Sequence, residues 1–384
     1  MDKRYLIIGN GVAGTTAAET IRKKDARGRI TLVTEEDLPF YRRIQLNDYL
    51  AGELDEVGLV VHDRKWYDER RIKLLTGTRV VGATPERAEV VTDQGKGIPY
   101  DRLLLATGSH SFLPPVPGHE RAGVFTLRNI ADVRRISAFC RERRQAVLIG
   151  GGLLGLETGN ALRKLGKEVT VVEMFPRLLP RQLDEKGAAR LQALLAERGF
   201  GFRLGVTVRE IKGNDGVEQV ALEGGGVLSA DLVIFSAGVR PNLELARDLG
   251  LECNKGIIVD ASLRTSRPDI FAAGDVAEFG GVCYGIWPAA LQQGRAAGAA
   301  MAGGEPGYQG TAPATRLKVA GIDLAAAGEI DAEHKYQAVV EESATVYRKF
   351  VTDQGRLIGF IMLGDTRDFN AKSKALIGGA EYPG

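Results

Sequence analysis

The stretch Val147–Glu173, VLIGGGLLGLETGNALRKLGKEVTVVE, decides the fold. An apolar run, Val147–Ile149, turns through Gly150, Gly151 and Gly152 into a segment carrying Leu154, Ala161, Leu162 and Leu165 at helical spacing. A second β-branched run, Val169–Val172, follows and stops at Glu173. The order is strand, tight turn, helix, strand, acid. Gly150, Gly152 and Gly155 stand at the spacing of a dinucleotide fingerprint. One glycine permits the turn, one lets the backbone approach a pyrophosphate, and one lets helix and strand pack closely. The diphosphate of such a ligand sits on the free N–H groups of the helix N-terminus. Glu173, at the strand end, is placed to accept hydrogen bonds from a ribose 2′-hydroxyl.

Working outward, the same pattern opens the chain. Tyr5–Ile8 is an apolar run, Gly9, Gly11 and Gly14 lie in GNGVAG, a helix carries Ala17, Ala18 and Ile21, and Ile30–Val33 leads to Glu35, 21 residues after Gly14. This second fingerprint starts 141 residues before the one at Gly150, so the chain contains an internal repeat. Each copy continues through shorter strands to an apolar strand and a small-residue turn. These are Leu103–Gly108 (LLLATG, with Ala106, Thr107 and Gly108 in the turn) and Leu232–Gly238 (LVIFSAG, closed by Gly238). Two nucleotide-binding units of one design, one for a flavin dinucleotide and one for a nicotinamide dinucleotide, would place a hydride donor and its acceptor in one chain.

The remaining sequence limits the alternatives. A length of 384 residues suggests two or three domains, and the ordinary charged and apolar fractions fit a globular enzyme rather than a disordered chain. The net charge of +2 and the lack of a long basic tract argue against nucleic acid as a partner, and Arg141–Arg144 (RERR) reads as a solvated helix end. No apolar run reaches bilayer-spanning length, and the first strand begins too near Met1 for a signal peptide, so no membrane association and a cytoplasmic location are expected. Cys140, Cys253 and Cys283 form no close pair, which excludes a redox disulfide from neighbouring residues and disfavours an iron–sulfur cluster on this chain. His62, His110, His119 and His334 are scattered, so no metal site is expected.

Between Phe112 and Phe125 a proline-rich stretch reads as a stiff connector. Asp269–Asp275 (DIFAAGD) forms a strand ending at Gly274-Asp275, where a carboxylate can hold the hydroxyls of a polyol chain. A helix begins near Pro288 and carries Ala289, Ala290, Leu291 and Gln293. From Thr311 the pattern changes: Thr345–Val351 and Leu357–Leu363 are β-rich runs joined by Asp353-Gln354-Gly355-Arg356, a hairpin signal within a small α+β domain.

Taken in order, GNGVAG with Glu35, ATG at Ala106–Gly108, GGGLLGLE at Gly150–Glu157 and FAAGD at Phe271–Asp275 resemble the FAD-dependent pyridine nucleotide-disulfide oxidoreductase superfamily over nearly the whole chain. YRRIQLNDYLAGE at Tyr41–Glu53, PRLLPRQLD at Pro176–Asp184, YGIWPAALQQGRAAG at Tyr284–Gly298 and LKVAGIDL at Leu317–Leu324 are most similar to NADH:rubredoxin reductases and the flavin-binding part of assimilatory nitrite reductase large subunits. The resemblance implies an α/β fold with two Rossmann-like domains. An FAD domain at 1–112 and 242–310 would be split by an NAD domain at 113–241, and a C-terminal α+β domain would follow at 311–384. It implies that Gly9, Gly11 and Gly14 hold the FAD pyrophosphate, Glu35 the adenosine ribose, Arg43 the cofactor near its phosphates, and Gly274 and Asp275 the ribityl chain and pyrophosphate. Ala106, Thr107 and Gly108 would approach the FAD backbone. Gly150, Gly152, Gly155, Glu173 and Gly238 belong to the NAD site, and Glu157 would lie beside the nicotinamide at the flavin N5 edge. The helix near Pro288 would direct its positive end at the flavin pyrimidine ring.

The chain departs from its relatives in two respects. It lacks the cysteine that thiol-using members carry near Tyr41–Leu50, and it has Asn47 and Asp48 where several relatives place a lysine. The expected function is therefore an FAD-dependent reductase that takes a hydride from NADH and passes electrons to an external rubredoxin or iron–sulfur protein, with a homodimer left open. The rivals are an NADH oxidase that reduces oxygen directly and an NADH-responsive flavoprotein acting mainly as an interaction module.

Overall fold

Each fingerprint becomes the centre of a five-stranded parallel sheet. The computed structural model describes residues 2–305, 307–311 and 314–379, so residues 312, 313 and 380–384 of the expected C-terminal domain, and residue 306 before it, lie outside the described residues. The chain divides into two compact units: residues 1–43, 55–110 and 239–311 form the first, and residues 44–54, 111–238 and 312–384 the second.

In the first unit the strand order is Ile270–Ala272, Arg102–Leu105, Arg4–Ile8, Arg29–Val33, Ile72–Leu75. All neighbours are parallel, with Ile7 opposite both Leu32 and Leu104. Leu6, Ile7, Leu32, Leu103, Leu104 and Phe271 are buried, as expected of a parallel sheet covered on both faces. A three-stranded antiparallel sheet, Val80–Thr84, Glu89–Thr92 and Gly97–Pro99, is inserted before Arg102–Leu105. The fingerprint helix, Val12–Lys24, buries Ala13, Ala17, Ala18 and Ile21 and packs along the helix Trp287–Met301, which has Pro288 in its first turn. This packing depends on small residues: a Cβ at Gly294 would lie 2.5 Å from the Ala13 carbonyl oxygen, and one at Gly298 would lie 2.6 Å from that of Ala17.

The second unit repeats the design in the order Phe200–Leu204, Glu168–Glu173, Gln145–Ile149, Leu232–Phe235, Val124–Thr126, again all parallel. Its own antiparallel insertion, Val208–Lys212, Gln219–Leu222 and Val227–Ser229, precedes Leu232–Phe235. The two copies differ in their fifth strand, which comes from residues after the core in one and before it in the other. Arg141–Arg144 is an exposed turn just past the helix Ile130–Phe139. Residues 44–54, which lie inside the linear range 1–112, pack with this second unit. The short helix Leu46–Leu50 buries Leu46 and Leu50 and lies against the helices Ile130–Phe139 and Leu153–Lys164.

Within the same unit, five antiparallel strands form the C-terminal sheet in the order Ala314–Val319, Ile322–Gly328, Arg356–Leu363, Tyr347–Asp353, Gln337–Glu342. Phe350, Leu357, Phe360 and Met362 pack beneath Phe369, Ala375 and Leu376 of the helix Phe369–Gly378, while the sheet also contacts the helix Glu185–Glu197. Asp184 caps that second helix by accepting from the Gly187 N–H at 2.9 Å. It also accepts from the Tyr347 hydroxyl at 2.6 Å and pairs with the buried Lys349 at 3.3 Å. Lys349 lies 3.6 Å from Asp331 as well, so one ammonium serves two buried carboxylates.

The close helix contact in the first unit yields a stability prediction. Gly294→Ala pushes a methyl into the Ala13 backbone and should lower stability by about 1–3 kcal/mol, the usual cost of overpacking. A thermal melt followed by circular dichroism checks this, and an unchanged midpoint would show that the two helices separate freely.

Candidate dinucleotide-binding sites

Both glycine turns are built the same way. Gly9 has φ +110° and Gly150 has φ +117°, values that favour glycine. The Gly9 N–H donates to the Val33 carbonyl at 2.8 Å, and the Gly150 N–H to the Val172 carbonyl at 2.8 Å. A Cβ at Gly9 would lie 2.0 Å from the Ala106 carbonyl oxygen, and one at Gly150 would lie 2.4 Å from that of Ser236. The third glycines close the packing: a Cβ at Gly14 would meet the Gly9 carbonyl oxygen at 1.9 Å, and one at Gly155 the Gly150 oxygen at 2.3 Å. The middle glycines behave oppositely, since a Cβ at Gly11 or Gly152 would meet nothing within 4 Å. Each is the N-cap of its helix, Val12–Lys24 or Leu153–Lys164, and neither helix has a side-chain cap or an acid in its first turn. Each therefore presents a positive, uncapped N-terminus to open space, which suits a diphosphate.

In the first unit further groups converge on the turn. Asn10 accepts from the Thr15 hydroxyl at 3.0 Å and the Tyr67 hydroxyl at 2.9 Å, while its buried amide nitrogen has no partner among the described residues. An orphaned buried donor beside an open helix N-terminus fits a ligand with acceptor oxygens. Ala106 donates its N–H to the Ile8 carbonyl at 2.8 Å, and Thr107 and Gly108 are pinned by Asn242. The Asn242 side-chain amide donates to the Thr107 carbonyl at 2.7 Å, and its backbone N–H donates to the Gly108 carbonyl at 3.0 Å. Ser109 donates to the Asp275 carboxylate at 2.9 Å, bringing the Gly108 turn to the Gly274-Asp275 turn across 166 residues of sequence. Glu35 stands out at the strand end with its side chain 65% exposed, only loosely paired with Arg79 at 3.8 Å. Arg43 pairs with Glu36, whose carboxylate also accepts from the Tyr41 hydroxyl at 2.5 Å. Asn10, Glu36 and Asn242 were not singled out from the sequence. The only signal for Asn10 is its place inside the fingerprint, and Asn242 is signalled only by following Pro241.

The second unit differs at its acid. Glu173 is 7% exposed, and its two oxygens accept from the Gly151 N–H at 2.6 Å and the Phe175 N–H at 2.9 Å. Its carboxylate already braces the glycine loop, whereas Glu35 is displayed. Gly238 has φ +95° and faces open space. Glu157, in the second turn of the helix Leu153–Lys164, accepts from the Ala320 N–H at 3.0 Å. Burial pushes its carboxyl above the usual glutamate range, and Asp48 adds to the effect, while the Ala320 N–H and Lys164 oppose it. Asn47 accepts at 3.1 Å from the hydroxyl of Thr158, the next residue on the same helix. The three cysteines are free, and burial pushes each thiol's pKa up, the reverse of an activated thiolate. Among the described residues no group of three or more potential ligands can hold a metal ion, and no helix is long and apolar enough to cross a membrane.

Two such turns on two parallel sheets give the chain the architecture of the NAD(P)H-dependent flavoprotein reductase fold. Residues 3–294 match the pyridine nucleotide-disulphide oxidoreductase family, and residues 313–379 match the rubredoxin NAD+ reductase C-terminal domain. The chain belongs to the pyridine nucleotide-disulphide oxidoreductase family, an FAD- and NAD(P)H-using class. It is 35% identical over 370 residues to the assimilatory nitrate reductase electron transfer subunit of Bacillus subtilis (strain 168), covering 95% of this chain and 48% of that one. It is 32% identical to the ferredoxin–NAD(+) reductase subunit of the benzene 1,2-dioxygenase system of Pseudomonas putida, covering 96% and 91%. A ferredoxin reductase structure from Rhodopseudomonas palustris superimposes with a TM-score of 0.90 at 30% identity, covering 99% and 96%. The chain spans less than half the length of the nitrate and nitrite reductase relatives it matches.

The raised Glu157 pKa has a consequence for stability. The folded protein holds this proton more tightly than the unfolded chain, so stability falls as pH rises from the ordinary glutamate value to the raised one. Glu157→Gln removes that dependence, and its melting temperature relative to the parent should climb as pH rises above the ordinary glutamate value of about 4. A constant difference across this range would mean that Glu157 titrates as it does in the unfolded chain.

Proposed function

We propose that the chain is an NADH-dependent reductase that passes electrons to a separate rubredoxin- or iron–sulfur-type carrier. The observation that carries the reading is the doubled, uncapped glycine turn, which gives one polypeptide two diphosphate sites of the same construction. Bound FAD supplies the chemistry, taking two electrons as a hydride at N5 and releasing them one at a time. The FAD domain is proposed at 1–112 and 242–310, the NAD domain at 113–241 and the C-terminal domain at 311–384. Gly9, Gly11, Gly14 and Asn10 would hold the FAD pyrophosphate, Glu35 the adenosine ribose, Arg43 the region of the phosphates, and Ala106–Gly108 with Gly274 and Asp275 the rest of the cofactor chain. Gly150, Gly152, Gly155 and Gly238 would form the NADH site, with Glu157 at its reacting edge.

Several observations favour an external acceptor. The protein's own thiols are unactivated, Cys140 buried and Cys253 and Cys283 half-buried, each with its pKa pushed up by desolvation. The C-terminal match is to a rubredoxin reductase domain, and ferredoxin reductases are among the relatives. Anaerobic NADH should bleach the flavin-loaded protein without added thiol, and changing Cys140, Cys253 and Cys283 together to serine should leave this intact. The reduced protein should be reoxidised faster by rubredoxin or ferredoxin than by air-saturated buffer. A faster reaction with air would favour the oxidase, and failure of the folded cysteine-free variant to bleach would sink the thiol-independent route.

NADH is preferred over NADPH because Glu173 holds negative charge where a 2′-phosphate would lie. Each Glu173 oxygen has a lone pair left after its backbone contact, available to a ribose hydroxyl. The preference should be about tenfold to a thousandfold in kcat/KM, or roughly 1.4–4 kcal/mol. Arg177, four residues on, works in the opposite sense, but it bonds the Pro180 carbonyl in its own loop at 3.4 Å. Glu173→Ala should narrow the gap mainly by improving NADPH use, and equal use of both cofactors by the parent would show that Glu173 does not select.

A further inference from the structure

Gln293 is a polar residue on a small-residue helix, 1% exposed, and the dinucleotide fingerprints make no use of it. Its side-chain oxygen accepts from the Gly274 N–H at 2.8 Å, and its amide nitrogen donates to the Tyr308 hydroxyl at 3.3 Å. The Tyr308 and Thr311 hydroxyls lie 2.9 Å apart, and Thr311 donates to Gln292 at 2.8 Å. The Gly274 end of this chain sets the orientation of the Gln293 amide. The Gly274 N–H is a backbone donor, so the Gln293 oxygen must face it and the amide nitrogen must face Tyr308. The Tyr308 oxygen then accepts from the amide, and its hydroxyl lies within hydrogen-bond distance of Thr311. Gln293 and Tyr308 are buried, so a lost partner at either is costly.

Gly274 has φ +86° and precedes Asp275, so the backbone that aims Asp275 is held by this amide. We propose that Gln293 is a positioning residue for FAD retention, fixing the Gly274-Asp275 turn through a buried amide whose other side is held by the Tyr308 hydroxyl. The inference rests on the proposed role of Asp275. The Ser109 hydroxyl donates to the Asp275 carboxylate, and the Ala277 N–H donates to the Gly274 carbonyl at 3.0 Å, which leaves the Gly274 N–H to Gln293.

The test measures release of FAD from the loaded protein by recovery of flavin fluorescence on dilution, with circular dichroism of the released protein as the folding check. Gln293→Met keeps the volume and removes both hydrogen bonds. It should release FAD about tenfold to a hundredfold faster, the scale of a buried donor left unsatisfied. Tyr308→Phe, which leaves the Gly274 bond in place, should fall between Gln293→Met and the parent.

Gln293→Glu gives a second measurement within one folded protein. When protonated, its carboxyl accepts from Gly274 and donates to Tyr308, as the amide does. When ionised, it loses that donor and places a second carboxylate on the turn that carries Asp275. The other ionisable groups around the amide are Tyr308 and its neighbour Tyr284, and burial pushes the Tyr308 phenol up. FAD release from Gln293→Glu should therefore accelerate as pH rises, while release from the parent stays flat. Parental release from Gln293→Met, or a flat pH profile for Gln293→Glu, with fast release from Asp275→Ala, would overturn the proposal alone. Parental release from Asp275→Ala would overturn the reading of the Asp275 site and the proposal with it.

Discussion

Much of the molecule follows from backbone approaches that leave no room for a side chain. At Gly14 and Gly155 the fingerprint helix comes so close to the turn before it that a Cβ would sit 1.9 Å or 2.3 Å from a carbonyl oxygen. At Gly9 and Gly150 the turn abuts the strand-end residue of the neighbouring chain segment, Ala106 or Ser236, just as tightly. Helix, turn and central strands are therefore locked as one body in each unit. The helix N-terminus is held at a fixed height above the sheet edge, where the middle glycine keeps space open for a ligand. The macrodipole and free N–H groups are useful only because this height is set.

The two units use one scaffold with different supporting chemistry. In the first, the acid at the strand end is displayed and a second acid, Glu36, engages Arg43 and Tyr41. In the second, the acid is turned in to brace its own glycine loop. A carboxylate that accepts from the backbone N–H groups of Gly151 and Phe175 makes the path of the glycine turn and of the segment after its own strand depend on a single side chain. In the first unit the strand-end acid makes no such brace among the described residues, and the amides of Asn10 and Asn242 hold the neighbouring turns.

Local patterns in the chain were legible. Both fingerprints, the strands within Asp269–Asp275 and Leu357–Leu363, the helix at Pro288 and the hairpin at Gln354-Gly355 follow from glycine spacing, apolar periodicity and turn chemistry, each acting within about ten residues. What stayed hidden depends on partners far away in sequence. The residues 44–54 carry no mark showing which unit their Leu46 and Leu50 will join. The Ala320 N–H reaches Glu157 across 163 residues, and Ser109 reaches Asp275 across 166. The burial of Glu173 depends on N–H groups of a turn whose path is set by tertiary packing. Gln293 gave only a weak cue, a polar residue at a position the helix buries.

The source of each fifth strand determines when each sheet can close. The second unit's parallel sheet takes its edge from Val124–Thr126 and is complete once Leu232–Phe235 has been made. The first unit's sheet must wait for Ile270–Ala272, which pairs with Arg102–Leu105 made some 167 residues earlier. During synthesis the inserted parallel sheet can therefore assemble while the segment that begins the chain still exposes an unpaired edge at Arg102–Leu105. That edge, formed early and closed late, is the part of the nascent chain most open to wrong strand pairing.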